Sequence, residues 1–501
     1  MYVYFSQEDF SLDFNKVNFD AMIPDWFKTI VSTGNDLIWT QFLIGLLLLA
    51  GLFFSLSSRF VQLRWLREMF RVIGEKPETL DDGQKGISSF QAFTISAASR
   101  VGTGNIAGVA TAIVLGGPGA VFWMWVIAFF GAASAFFEAT LAQVYKVPDK
   151  EGGFRGGPAY YMERGLGQKW LGVTFAILIT VTFAFVFNTV QSNTIAESFN
   201  AQYKIAPWIT GLILAVITAI VIFGGVRSIA RISSAIVPVM AIFYIILVLF
   251  ILLTHANMII PMLTSIVKGA FGMEQAFSGA LGFTIMQGIK RGLFSNEAGM
   301  GSAPNAAATA AVSHPVKQGL IQSLGVFFDT MVVCTATAIM ILLYSGLEFG
   351  EKAPQGVAVT QAALNSHVGA FGGMFLTVAV FLFAYSSVIG NYYYGQSNIE
   401  YLTTNKTVMF IFRLLVVFMV FFGAVVKVET VWATADLFMG LMAILNITAI
   451  IGLAHVVFEV AGDYAEQRKK GLNPVFRTKN VKADLSAVET WGDNPYHHED
   501  K

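Results

Sequence analysis

Ser99-Arg100-Val101-Gly102-Thr103-Gly104-Asn105-Ile106-Ala107-Gly108, running on through Gly116-Gly117-Pro118-Gly119-Ala120-Val121-Phe122-Trp123-Met124-Trp125 to Gly131, decides how this chain folds. The stretch is apolar on both sides, yet Gly102-Thr103-Gly104-Asn105 is poor helix. Glycine is about 1 kcal/mol worse than alanine in a helix interior, and Thr and Asn side chains compete for nearby backbone groups. Lipid tolerates irregular backbone only where protein buries it or where it lines a cavity. A glycine break at membrane depth therefore points to a polar site built from unwound backbone, as in secondary transporters.

The rest of the composition agrees. Of 501 residues, 55% are hydrophobic and 13% charged, about half the charge of a soluble protein. The mean hydropathy is +0.63. This is the balance of a polytopic membrane protein. The single cysteine, Cys334, excludes an internal disulfide framework and reads as a buried, inert thiol. The N-terminal stretch lacks the basic and apolar regions of a cleavable signal peptide. No metal-ligand cluster, phosphate loop or nucleophile elbow is present, which argues against an ATP-driven pump or an enzyme.

Apolar segments of spanning length fall at about 36–57, 88–114, 118–145, 171–198, 207–224, 233–254, 276–312, 317–344, 370–396, 407–426 and 430–460. They divide the chain into an extracytoplasmic segment 1–35, a transmembrane domain 36–460 and a polar cytoplasmic tail 461–501. With the N-terminus outside, 25 Lys and Arg fall in cytoplasmic connections, Lys290 and Arg291 among them, and 6 fall outside. That bias supports eleven spans with the C-terminus inside. Setting aside the first span leaves two sets of five in opposite orientation, an inverted repeat. The first helices of the two sets, 88–114 and 276–312, are both glycine-interrupted. Paired broken helices in matching positions are the best pointer to a midplane site.

Unwound turns expose carbonyls and amides that helix bonding would otherwise use. Carbonyls and hydroxyls suit Na⁺, and half-helix N-termini attract a carboxylate. A small zwitterion with sodium is the natural ligand set. Ser386 and Ser387 are placed to add hydroxyls to carbonyls near Ala98 and Val101, or else to bond back within their own helix. Asn188, Gln191 and Ser192 share a helix face, which either lines the cavity or holds helices together. Arg100, Glu138, Glu197, Arg291, Glu297, Asp329 and Asp436 fall in apolar runs, where ionisable groups are functional by default. One pairing sets Arg100 or Arg291 against Glu297 or Glu138. For Glu197, Lys290, Arg291 and Asp436, a helix end reaching the interface is the plainer reading. Trp26 and Trp39 are candidates for an interfacial aromatic belt.

Gly116–Trp125 resembles the signature of the alanine/glycine:cation symporter family, a branch of the amino acid-polyamine-organocation superfamily. Gly102–Val109, Phe154-Arg155-Gly156-Gly157-Pro158-Ala159-Tyr160-Tyr161-Met162, Arg291–Pro304, His314-Pro315-Val316-Lys317-Gln318-Gly319 and Phe328-Asp329-Thr330 are similar to further motifs of that family. The resemblance implies an all-α, leucine-transporter-like five-plus-five inverted repeat with one extra N-terminal helix, in a bacterial inner membrane. It implies sodium-coupled symport of alanine or glycine by alternating access, with Na⁺ as coupling ion, no organic cofactor, and neither nucleic acid nor an obligate protein partner. A proton-coupled carrier of the same fold is the alternative, and a passive channel a more distant one. On the same resemblance, Ala98 and Val101 carbonyls with Ser386 and Ser387 hydroxyls form the sodium site. Gly102, Thr103, Gly104, Asn105, Gln191, Phe294, Ser295, Asn296 and Asn391 bind the substrate. The second break falls either at Ser278–Phe283 or, preferred, within Gly292–Gly301, which brings Arg291 toward the membrane middle in need of an acid. Relatives commonly carry tryptophan where Asn391 stands. An asparagine widens the pocket or adds a hydrogen-bonding group, which bears on the preference for alanine over larger or more polar amino acids.

Overall fold

A computed structural model describes residues 19–79, 85–149, 153–223, 226–273, 281–350 and 352–491. The molecule is almost entirely helical, because long apolar runs without strand alternation can satisfy their backbone groups in lipid only as helices. α1 (Asp25–Ile38) continues through a π-helical turn at Trp39–Leu43 into α2 (Ile44–Ser57). A short amphipathic helix, α3 (Leu66–Ile73), precedes α4 (Ser89–Arg100), whose start is closed by a capping box between Ser88 and Gln91. After a break comes α5 (Val109–Gly116), then α6 (Gly119–Val144). A small hairpin pairs β1 (Val147–Asp149) with β2 (Gly153–Arg155).

α7 (Lys169–Ile179) runs through a π-helical stretch into α8 (Asn188–Tyr203), followed by α9 (Pro207–Ile222) and α10 (Val226–Thr254). α10 bends by 83° into α11 (Ile259–Ala270). The second broken helix is α12 (Leu281–Asn296), an irregular turn, and α13 (Ala303–Ala307). α14 (Pro315–Val326) passes through a π-helical stretch, Phe327–Cys334, into α15 (Thr335–Leu342). α16 (Val357–Val368), α17 (Ala370–Leu402), α18 (Lys406–Val425), α19 (Val428–Gly452) and α20 (Ala454–Lys469) complete the order.

Among the described residues, six helices are long and apolar enough to cross a membrane, or seven with the bent pair counted as one span. That describes a helical polytopic membrane protein. The eleven-segment reading counted several segments that fold as shorter helices, among them Ile44–Ser57 and Pro207–Ile222, and two that are interrupted. α6 lies at the centre, packed along α14, α12 and α2. α8 packs on α17 and α18 on another side. Large apolar side chains such as Leu49, Ile220, Leu253 and Phe418 face outward, whereas polar groups cluster inside, the inverse of a soluble protein's pattern.

Candidate functional site

α4 ends where the glycines predicted it would. Val101 leaves helical geometry, with φ −78° and ψ 87°, and the chain resumes as a π-helical turn at Gly104–Gly108. The amides freed by this break are taken up by side chains rather than water. The Gly102 N–H donates to Asn105 Oδ1 at 2.9 Å. The Thr103 N–H and hydroxyl both donate to Gln191 Oε1, at 3.0 and 2.7 Å. Gly102 is required by close approach: a Cβ there would lie 2.2 Å from Ser387 Oγ and 3.0 Å from Gln191 Oε1.

Ser386 and Ser387 sit in the middle of α17 and do both things open to a helix hydroxyl. They donate back to the Phe383 carbonyl at 2.8 and 3.1 Å, and they reach the Ala98 carbonyl at 3.4 and 2.9 Å. Two hydroxyls thus converge on the end of α4, close to unwound Val101. These are hard oxygen donors in a fully buried position.

The second break lies at Glu297–Ser302. α12 continues unbroken through Gly292 to Asn296, so only the later part of the preferred Gly292–Gly301 window is irregular. Glu297 adopts φ 57°, rare for a residue with a side chain, and Gly299 and Gly301 have φ 83° and 82°. In the other window, Ser278–Phe283, residues 278–280 lie outside the described residues and 281–283 open α12. The exposed amides of the break are held by Glu138 from α6. Its Oε1 accepts from the Gly299 N–H at 3.2 Å, and its Oε2 from the Gly301 N–H at 3.1 Å and from Asn446 Nδ2 at 2.8 Å.

The first break and the end of α12 meet at Asp329. Asn105 Nδ2 donates to its Oδ1 at 2.7 Å, while the Ser295 and Thr330 hydroxyls donate to Oδ2 at 2.7 and 3.0 Å. Phe294 packs beside this cluster. Its ring lies against Gly104, 4.6 Å from Phe187 and 4.7 Å from Trp432, centroid to centroid. Asn296 Nδ2 donates to Thr330 Oγ1 at 3.2 Å and its Oδ1 accepts from the Ala298 N–H at 3.0 Å, closing the end of α12. Asn391 connects through Ser99, whose Oγ is 2.8 Å from Asn391 Oδ1 and 2.6 Å from Glu297 Oε1. The fourth-span polar residues divide. Asn188 and Gln191 reach the residues of the first break and Asn391, whereas Ser192 bonds back to the Thr189 carbonyl at 3.2 Å, and its neighbour Asn193 bonds the Gly423 and Val426 carbonyls and ties α8 to α18.

The charged residues correct the pairing read from sequence. Arg291 bonds both carboxylate oxygens of Asp436, with its guanidinium 4.6 Å from the Trp432 ring centroid. Lys290 Nζ lies 3.6 Å from the same carboxylate. The partner is therefore Asp436 on α19, not Glu297 or Glu138. Arg291 and Asp436 are 3% and 6% exposed, too buried for a helix end reaching water. Lys290 and Arg291 consequently lie within a helix inside the protein rather than in a cytoplasmic connection. Trp39 is fully buried, with its ring beneath Lys290 and its indole N–H donating to the Asp436 carbonyl at 3.1 Å, so it is no belt residue. Sequence reading missed Ser99, Trp432 and Asn446. A lone serine or asparagine in an apolar helix carries little signal until its partner is known.

Sequence comparison places these residues in context. Residues 24–478 match the model of the sodium:alanine symporter family. The chain is 54% identical over 471 residues to the amino-acid carrier protein AlsT of Bacillus subtilis, covering 94% of this chain and 99% of that protein. It is 51% identical to the probable sodium/glutamine symporter GlnT of the same organism, over 92% of this chain and 95% of GlnT. It is 41% identical to the sodium/alanine symporter AgcS of Methanococcus maripaludis, over 88% and 98%. The relatives are named as carriers and symporters, so a carrier rather than an enzyme is the class this fold serves.

Proposed function

Because this chain belongs to the sodium:alanine symporter family, we propose that it carries a small neutral amino acid, alanine or glycine first, into the cell together with Na⁺. The observation that carries the reading is the convergence of the Ser386 and Ser387 hydroxyls on the Ala98 carbonyl, beside the unwound Val101–Thr103 turn. Sodium bound there by the Ala98 and Val101 carbonyls and the two hydroxyls stabilises the open turn. The amino acid lies beyond Gly102, between the two breaks. Gly102, Thr103, Gly104 and Asn105 offer backbone and amide groups to its carboxylate and amine; Gln191, Ser295 and Asn391 supply polar walls, and Phe294 the apolar one.

The ten spans after α1–α2 form the five-plus-five inverted repeat, with α4–α5 and α12–α13 as its matching broken helices. The N-terminus faces outward and the tail the cytoplasm. Alternating access follows from two closures on opposite sides of the pocket. The Arg291–Asp436 pair with Trp432 covers Phe294 on the outer side, and the packing of the α13 end with the tail closes the inner side. A membrane potential of 100 mV contributes about 2.3 kcal/mol per charge carried inward.

Uptake of radiolabelled alanine, glycine and glutamine into proteoliposomes, with and without an inward Na⁺ gradient, tests this. Saturable alanine or glycine uptake that collapses without Na⁺ is expected. Uptake indifferent to Na⁺ overturns the coupling, and glutamine preferred over both overturns the substrate.

A further inference from the structure

The hydrogen bonds around Glu297 form a chain whose direction is fixed at one end. The Ala184 carbonyl can only accept, so the Asn188 amide atom facing it at 3.0 Å is Nδ2. Asn188 Oδ1 then accepts from Asn391 Nδ2 at 3.1 Å, which turns Asn391 Oδ1 toward Ser99 Oγ, 2.8 Å away. Ser99 has one hydroxyl proton, and Asn391 Oδ1 needs it. The same Ser99 oxygen lies 2.6 Å from Glu297 Oε1. Two acceptor oxygens at that distance repel unless a proton lies between them. One hydroxyl proton shared between the two leaves each contact half filled, and a proton on Glu297 Oε1 completes the shorter one. The other oxygen of Glu297, Oε2, accepts from the Ser302 hydroxyl at 2.6 Å, so the proton is on Oε1.

From this we infer that Glu297 is a proton-binding site: in this closed state it is a neutral carboxylic acid, wired through Ser99 and Asn391 to the substrate pocket. The bound species is a proton rather than a metal ion, because a cation bridging the two oxygens would hold them further apart than a shared hydrogen does. The surroundings leave the acid without a direct counter-ion among the described residues. Arg100 on α4 turns its Nη1 to the Gln322 carbonyl at 3.5 Å, and its field is shared by Glu138 on α6 and Asp329 beyond α14 as well. Tyr394 on α17 is the remaining titratable neighbour. Glu297 also occupies the left-handed position of the second break. Losing the proton would force Ser99 to turn its hydroxyl to Glu297, leaving Asn391 Oδ1 facing a bare oxygen at the edge of the pocket. Proton release and pocket geometry are therefore linked, and substrate binds tighter to the protonated form.

The inference rests on the carrier reading above for its transport arm but not for its spectroscopic arm. Infrared difference spectroscopy of the full-length protein, wild type against Glu297→Gln, should show a protonated-carboxyl C=O band lost in the variant. The band should shift in Ser99→Ala, where the acceptor is gone. The variant glutamine donates to Ser99 and accepts from Ser302, so it preserves the chain. Alanine affinity of Glu297→Gln should then be flat with pH, whereas that of the wild type weakens up to tenfold per pH unit once the proton leaves. A wild-type spectrum with no such band, or a Glu297→Gln variant that keeps the wild-type pH profile, overturns the assignment. If the variant fails to fold, the Ser99→Ala shift alone decides, and an unmoved band counts against it. A band without any Na⁺-driven alanine uptake leaves the proton site standing and removes the transport reading instead.

Discussion

Replacing Gly102 by alanine places a methyl 2.2 Å from Ser387 Oγ, 3.1 Å from Ser387 Cβ and 3.0 Å from Gln191 Oε1. Rotating the hydroxyl away relieves only the closest contact and takes Oγ off the Ala98 carbonyl, 2.9 Å away in the native packing. The alternative is to push the unwound turn away from α17, which stretches the Thr103–Gln191 bonds. Overpacking of this kind costs about 1–3 kcal/mol. Withdrawing a hydroxyl from a charged ligand costs about 1.5–3 kcal/mol. At about 1.4 kcal/mol per tenfold, the Na⁺ concentration for half-maximal uptake should rise by roughly 10- to 100-fold. The double variant Gly102→Ala/Ser387→Ala relieves the clash and so recovers part of the lost thermal stability, but it cannot restore the ligand. Sodium-activation curves in proteoliposomes, beside melting temperatures in detergent, separate the two effects. A Gly102→Ala protein with wild-type sodium activation would refute the placement of the ion beside this turn.

Removing one partner of a buried ion pair leaves the other charge uncompensated, at about 3–5 kcal/mol; Asp436→Asn strands both Arg291 and Lys290 and should lower the melting temperature sharply. Lys290→Met/Arg291→Met/Asp436→Leu, which leaves no charge stranded, should recover much of that stability, and a triple variant as unstable as the single would argue against a direct pair. His314, just before α14, caps that helix: Nδ1 accepts from the Val316 N–H at 3.2 Å, and Nε2 faces Asp463 at 3.2 Å. Burial pushes its imidazole down to about 4 from an ordinary 6.5. The unfolded chain therefore binds a proton that the folded chain refuses, so stability falls as pH drops from about 6.5 toward 4, by about 3 kcal/mol in all. His314→Gln should flatten that slope in pH-dependent melting, and an unchanged slope would place the acid sensitivity elsewhere.

The breaks were legible because glycine and asparagine in an apolar run weaken a helix without adding packing, and only an irregular turn makes use of them. Gly102–Asn105 and Gly299–Gly301 are irregular for that reason, and Ser386 and Ser387 reach the first break as expected. The pairing of charges was not legible. Arg291 and Asp436 are 145 residues apart in sequence, and no local pattern tells an inward-facing arginine from one that reaches the interface. Counting spans by length meets a related difficulty. A 35-residue helix such as Lys169–Tyr203 and a 16-residue one such as Pro207–Ile222 both read as one apolar run. Length along the axis depends on tilt and π-helical turns, which hydropathy does not record.

The two closures differ in what must break to open them. Around Phe294 lie the Trp432 ring and the Arg291–Asp436 pair, carried by α12 and α19 and joined by Lys290 and by Trp39 from the turn after α1. On the opposite side the end of α13 is laminated into several elements. Ala310 pairs with Ile87 and accepts from Gln143 Nε2 and Lys146 Nζ at 3.0 Å each. The Ser313 carbonyl accepts from the Phe476 N–H at 2.8 Å, and Lys317 reaches Glu75 at 2.7 Å and Asn473 at 2.9 Å. The Trp491 indole, fully buried, donates to the Gln143 carbonyl at 2.7 Å. Fewer contacts hold this side than the laminated one, so opening first on the Trp432 side is the expected order. A cysteine introduced by Trp432→Cys should react with a soluble thiol reagent in the detergent-solubilised protein, open to reagent on both sides, in Na⁺ without substrate, and saturating alanine should slow it. One introduced by Ser313→Cys should react slowly under both conditions. Faster labelling at Ser313→Cys than at Trp432→Cys in Na⁺ alone would mean that the laminated side opens first, and the argument from the number of bonds would fail.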